Sequence, residues 1–160
     1  MLGLLGFTLA FAVPGAAAPG PCDLLTRDVA STILEAPVTK MERGGPERDE
    51  DTGGMRTLCA YMAGTRMLIV VREVFASAAT AKAATTKELV GERLEDENST
   101  VTEVPGLGDK AYWATTPHAA EWVVIKGSSV LGVTLGGMPK APATYQAQLR
   151  GVTVAALGKI

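Results

Sequence analysis

Glu121-Trp122-Val123-Val124-Ile125-Lys126-Gly127-Ser128-Ser129-Val130-Leu131-Gly132-Val133-Thr134-Leu135 is the stretch on which the fold turns. Two apolar, β-branched runs, 121–126 and 130–135, flank Gly127-Ser128. Those small residues suit a tight turn, so the stretch reads as a β-hairpin. Just upstream, residues 110–114 read as a further strand. They follow Gly106-Leu107-Gly108-Asp109, a turn in which glycine supplies positive φ and Asp109 caps a backbone N–H. Residues 100–104 alternate as a strand should.

A second hairpin is expected earlier, with strands over 57–62 and 67–75 around Ala63-Gly64-Thr65. Its Leu68-Ile69-Val70-Val71 run is apolar on both faces, which places it centrally in a covered sheet. Residues 38–42 suit one more strand, and 43–54, rich in Gly, Pro and charge, reads as a loop. Three helices complete the pattern. After Cys22, Thr26 is a good N-cap, Asp28 favours the first turn, Leu25, Val29 and Ile33 form a stripe, and Pro37 stops the helix. Residues 77–96 are rich in good helix formers, with Ala79, Ala83, Thr86, Val90 and Leu94 near one face and Gly91 dividing or ending the helix. Beyond Gly136-Gly137, Pro139 and Pro142, a last helix from about Ala143 carries Tyr145, Leu149, Val152 and Ala156 at helical spacing. The expectation is an α+β fold: a mostly antiparallel sheet of about five to seven strands packed by three helices. The strand–loop–strand–helix order occurs twice, which hints at duplication, although no residue-level repeat supports it.

Residues 1–18 carry no charged side chain. An apolar run, 2–13, is broken by Pro14-Gly15 and followed by Ala16-Ala17-Ala18, as in the h- and c-regions of a secretory signal. A bilayer span needs roughly 20 apolar residues, so a retained anchor or a buried core helix is the lesser reading. Cleavage suits Ala17 better than Ala18, because Pro19 would otherwise open the mature chain. The division is therefore a signal peptide, 1–18, and a single disulfide-stapled domain, 19–160, with no transmembrane span in the mature chain. That length suffices for one real core. Hydrophobic residues make up 47% and the net charge is −2. Such a composition argues against disorder and against general attraction to phosphate backbones, so no nucleic-acid partner is expected.

Cys22 and Cys59 are the two cysteines. An isolated pair in an oxidising compartment usually forms a disulfide. Lipid attachment at Cys22 is the other reading, but Pro19-Gly20-Pro21 lacks the apolar residue that such a site requires upstream.

Catalytic chemistry is hard to find. His118 is the single histidine, set in Thr115-Thr116-Pro117-His118-Ala119, and no Gly-x-Ser-x-Gly elbow presents a serine. One histidine and no free cysteine pair make a zinc site improbable, so no metal and no cofactor are expected. Gly106-x-Gly108-x-x-Ala111 formally matches a dinucleotide fingerprint, yet Ala111-Tyr112-Trp113 reads as strand where that motif needs a helix. Glu47, Asp49, Glu50 and Asp51 offer clustered oxygens of the kind calcium takes, but Arg48 lies among them and the spacing fits no EF-hand. These acids, like Glu92, Glu95, Asp96 and Glu97, read as solvated charge. Trp113 and Trp122 fall on neighbouring expected strands: exposed, they would make a binding platform, and buried they would be core.

Cys22-Asp23-Leu24-Leu25-Thr26 opening a helix, Cys59-Ala60-Tyr61, Gly106-Leu107-Gly108-Asp109-Lys110-Ala111 and Val124-Ile125-Lys126-Gly127 occur in that order. In these short motifs the chain resembles a loose group of small bacterial exported proteins and actinobacterial-type envelope lipoproteins of unknown function. The resemblance implies an α+β sandwich similar to the PsbP-like fold, a disulfide between the two cysteines and no catalytic residues. The chain departs from the group in lacking a convincing lipobox.

The expected function is thus a non-enzymatic exported module, periplasmic or secreted and monomeric, that binds a small apolar ligand or a partner protein of the envelope. Trp113, Trp122 and His118 are its candidate binding residues. Two alternatives stand beside it. One is an envelope hydrolase whose site involves His118. The other is an inhibitor or stress accessory protein acting through the charged 43–54 loop.

Overall fold

A computed structural model describes residues 19–94 and 96–160. The expected signal peptide, 1–18, lies outside the described residues, as does Glu95 of the 92–97 acidic group.

The hairpin of 121–135 forms as β6 (Ala119–Lys126) and β7 (Ser129–Gly136), turning at Gly127 with φ 59°. Asp109 caps this turn by accepting the Gly127 N–H at 2.7 Å, so the Gly106–Asp109 turn serves a neighbouring hairpin as well as its own. Upstream of β6 lie β5 (Lys110–Thr115) and the short β4 (Thr100–Glu103). The earlier part of the chain supplies β1 (Lys40–Arg48), β2 (Met55–Ala63) and β3 (Arg66–Val74). All neighbours pair antiparallel in the order β1-β2-β3-β7-β6-β5-β4. Two meanders are therefore joined along β3 and β7, and each hairpin keeps its connection local.

The helices are α1 (Pro21–Leu24), α2 (Arg27–Ile33), α3 (Ala78–Ala83), α4 (Lys87–Arg93) and α5 (Gln146–Leu157), the last entered through a 3-10 turn, Pro142–Tyr145. Serine or threonine caps open three of them. Thr26, Ser77 and Thr86 accept the N–H groups of Val29, Thr80 and Leu89, each cap contributing roughly 1 kcal/mol.

Three expectations need correction. The 43–54 segment is not a loop throughout: β1 continues to Arg48, its pairing with β2 shifting register between Gly44 and Glu47, and only the turn after it is irregular. Backbone pairing along the sheet edge overrides the low strand propensity of Gly and Pro, which an edge position tolerates. The 77–96 helix is divided at Ala84–Thr86, not at Gly91, because the Thr86 hydroxyl starts a new helix. Gly91 stays inside α4, in the helix that packs on β4. Val29 is 39% exposed, and α2 instead buries Ala30 and Ile33 with Leu34 beside them.

One face of the sheet carries α1, α2 and α5. Cys59, Tyr61, Leu68, Val70, Trp113, Trp122, Val124, Leu131, Val133 and Leu135 are buried there against Leu24, Ile33 and Leu149. The Cys22–Cys59 disulfide joins α1 to β2 across this layer. Two polar tips inside it are paired: the Tyr61 hydroxyl donates to the Leu25 carbonyl at 2.5 Å, and Trp122 Nε1 donates to the Gln146 carbonyl at 3.1 Å, whereas the buried Tyr145 hydroxyl has no hydrogen-bond partner among the described residues. Lys126 Nζ closes the end of α5 by donating to the Leu157 carbonyl at 2.8 Å.

The opposite face is covered unevenly. There α3 packs on β6 and β7, and α4 on β4 and β5. Phe75, Ala81, Val90, Tyr112, Ala114, Val123, Ile125 and Val130 form a smaller core beneath them. On the β2–β3 half of this face, Leu58, Met62, Ile69 and Val71 are only half-buried, and Met67 is 36% exposed. The Leu68–Val71 strand is central, as its composition indicates, but only one of its faces is fully covered.

Candidate functional site

The side chains of a strand alternate between faces, so the uneven covering sorts β3 residue by residue. Leu68 and Val70 enter the dry core, whereas Ile69, Val71 and Glu73 face the half-open side. Cross-strand register aligns them with their neighbours: Arg56 opposite Glu73 and Glu73 opposite Val130, then Leu58 opposite Val71 and Val71 opposite Gly132, then Ile69 opposite Thr134 and Thr134 opposite Glu121. These rows form the floor of a cleft whose wall is α4. An inner cavity of about 210 Å³ is lined by Ile69, Val71, Val123 and Val130, by Leu94 after α4, and by Asp49, Arg56, Glu73, Arg93, Glu121 and Thr134. It shares Asp49, Arg56 and Arg93 with an outer cleft of about 840 Å³ running between the 49–52 turn and the α3–α4 pair.

Gly132 makes the hollow. A Cβ there would stand 3.1 Å from Glu121 Oε1 and 3.7 Å from Val71 Cβ. The missing side chain lets the Glu121 carboxylate lean across β7 toward the centre of the floor. Burial pushes the Glu121 pKa up, against the opposing pull of the Arg93 charge, the Thr134 hydroxyl and the Arg56 charge. Glu73 is only 3% exposed and accepts the Thr52 hydroxyl proton in a hydrogen bond. It also packs on bare backbone: a Cβ at Gly54 would fall 2.5 Å from its Oε1.

The turn after β1 holds the rim. Asp49 Oδ1 accepts the N–H groups of Thr52 at 2.9 Å and Asp51 at 3.1 Å. The Thr52 N–H is the main reason that the Asp49 pKa is lowered, with the Arg56 guanidinium adding a smaller pull. Arg56 Nη1 lies 3.6 Å from Asp49 Oδ2, and its Nε is buried without a hydrogen-bond partner among the described residues. Arg93 donates Nε to the Leu89 carbonyl at 3.4 Å, which holds its stem along α4.

The candidate binding residues Trp113, Trp122 and His118 lie elsewhere, whereas Asp49, Asp51 and Glu92 of the two acidic groups line the cleft. Trp113 and Trp122 are 8% and 1% exposed, with ring centroids 5.2 Å apart, and belong to the dry core rather than to an exposed platform. His118 is exposed on the turn between β5 and β6 and is not part of the cleft lining. Of the 47–51 acids, Glu47 stands exposed on β1, while Asp49 spends Oδ1 on its own turn and turns Oδ2 toward Arg56. Sequence reasoning missed Glu73, Glu121, Gly132, Arg56 and Arg93. Two signals pointed there: acids inside otherwise apolar strands, and a glycine within Val130-Leu131-Gly132-Val133, since a strand glycine often marks close approach.

No protein-family model matches the chain, and no curated protein matches it. Among solved structures it is similar to the extracellular domain of PknH from Mycobacterium tuberculosis, with a TM-score of 0.50 and 11% identity. That likeness covers 85% of this chain and 93% of the other. At this identity the likeness is one of fold: an antiparallel α+β domain of the same general design.

Proposed function

We propose that this chain is an exported, non-enzymatic module that binds a small, largely apolar ligand in the cleft between the half-open sheet and α4. The floor carries the reading. Ile69 and Val71 are only partly buried inside a concavity, while their strand neighbours Leu68 and Val70 are fully buried on the other face. A rigid apolar surface with a few converging polar groups is the usual make-up of a small-molecule site. Here Arg56, Glu73, Glu121 and Thr134 supply those groups.

Export is supported by the signal-like 1–18 segment, by the Cys22–Cys59 disulfide, and by a fold shared with a domain described as extracellular. The non-enzymatic reading is supported by His118 standing apart from the cleft and by both cysteines being bonded to each other.

The test is native mass spectrometry on protein exported to an oxidising periplasm, comparing wild type with Ile69→Trp, which fills the floor. A ligand released only on denaturation of the wild type, and missing from the variant, is the expected result. Equal retention by an Ile69→Trp protein with a native near-UV spectrum would place binding outside the cleft.

A further inference from the structure

Resting on that reading of the cleft, we propose that its ligand is an amphipathic cation: a protonated amine held in the inner cavity beside Glu73 and Glu121, on an apolar body lying along Ile69 and Val71. The lining of the two connected spaces contains five carboxylates, Asp49, Asp51, Glu73, Glu92 and Glu121, against two guanidinium groups, Arg56 and Arg93. Arg56 is already paired with Asp49. Among the described residues neither Glu73 nor Glu121 has a cation within ion-pair distance. A carboxylate removed from water without a counter-charge is costly, and a ligand cation entering beside it relieves that cost.

The three ligand classes separate on this ground. An ammonium has three N–H donors and no acceptor, and the inner cavity offers it the oxygens of Glu73, Glu121 and Thr134. An anionic head would enter a lining of net negative charge and be repelled. A neutral head leaves the carboxylates without a counter-charge. Size agrees with a head group and the adjoining part of its apolar body lodged inside, along Ile69 and Val71, with the rest of the body outside. The inner space, about 210 Å³, is smaller than a typical whole-ligand site, whereas the outer cleft is about 840 Å³.

Titration calorimetry of the disulfide-intact domain with octylammonium chloride, sodium octanoate and 1-octanol holds the tail constant and changes only the head. Octylammonium is expected to bind about tenfold or more tightly than either of the others. Glu121→Gln should weaken octylammonium by about tenfold and leave 1-octanol unchanged, and Glu73→Gln, where it folds, should do the same. Ile69→Trp should abolish binding of octylammonium. Octanoate or octanol binding as well as octylammonium, or an octylammonium affinity indifferent to Glu121→Gln, would overturn the cationic assignment while leaving the cleft intact. Octylammonium binding that survives Ile69→Trp, or no heat from any of the three, would overturn the cleft reading together with it.

Discussion

The two faces of the sheet are built from the same strands and do different work. On one, α1, α2, α5 and the disulfide press a continuous apolar layer dry. On the other, α3 and α4 cover only the β4–β7 half, and charged groups occupy the boundary between covered and open sheet. The contrast teaches how one antiparallel sheet divides stability from accessibility. Alternate residues of a single strand, Leu68 and Ile69, belong to the two regimes.

The largest expected loss comes from the dry face. Replacing Cys22 and Cys59, 37 residues apart, by serine releases the tie between α1 and β2. Chain entropy alone sets that cost at about 4 kcal/mol, read as a lowered urea midpoint at constant slope. Next comes a matched pair on β3. Leu68→Ala, on a side chain with no exposed area, should cost about 2–5 kcal/mol, whereas Ile69→Ala should cost less, by about 1 kcal/mol, because its side chain is only partly buried. Equal losses in chemical denaturation would mean that the two faces are packed alike.

This division was partly legible in the sequence. The hairpins around Gly64 and Gly127, the Asp109 cap and the Thr26 cap follow from local chemistry, because turn and cap residues act over a few positions. The pairing of Cys22 with Cys59 follows from there being no other cysteine. The cleft was not legible. Leu68-Ile69-Val70-Val71 has one composition whether covered on both faces or one, and only the break at Ala84–Thr86, which shapes α3 and α4, decides which half of the sheet they reach. Glu73 and Glu121 lie 48 positions apart in sequence and line one cavity through non-local pairing, which no local pattern reports.

Smaller effects sharpen the comparison from the open face. Burial raises the Glu121 pKa above its value in the unfolded chain, so its favourable contribution is fully present below the unfolded value and is lost as pH rises through the folded one. Glu121→Gln should therefore be more stable than wild type at pH 8, with the advantage shrinking toward pH 4, as pH-resolved thermal melts would show. Asp49 has the opposite sign. Its lowered pKa contributes stability above the unfolded carboxylate value, and that contribution is lost as pH falls through the folded pKa. Asp49→Asn should reduce stability slightly at pH 7, with the deficit shrinking at low pH in the same melts.

The most direct test of the division is a methyl-resolved NMR titration of the disulfide-intact domain with octylammonium chloride. Shifts confined to Ile69, Val71, Val123 and Val130, with Leu68, Val70 and Leu131 unmoved, are the predicted result. Shifts centred on the Leu68, Val70 and Leu131 methyls, or none at any of these positions, would contradict it.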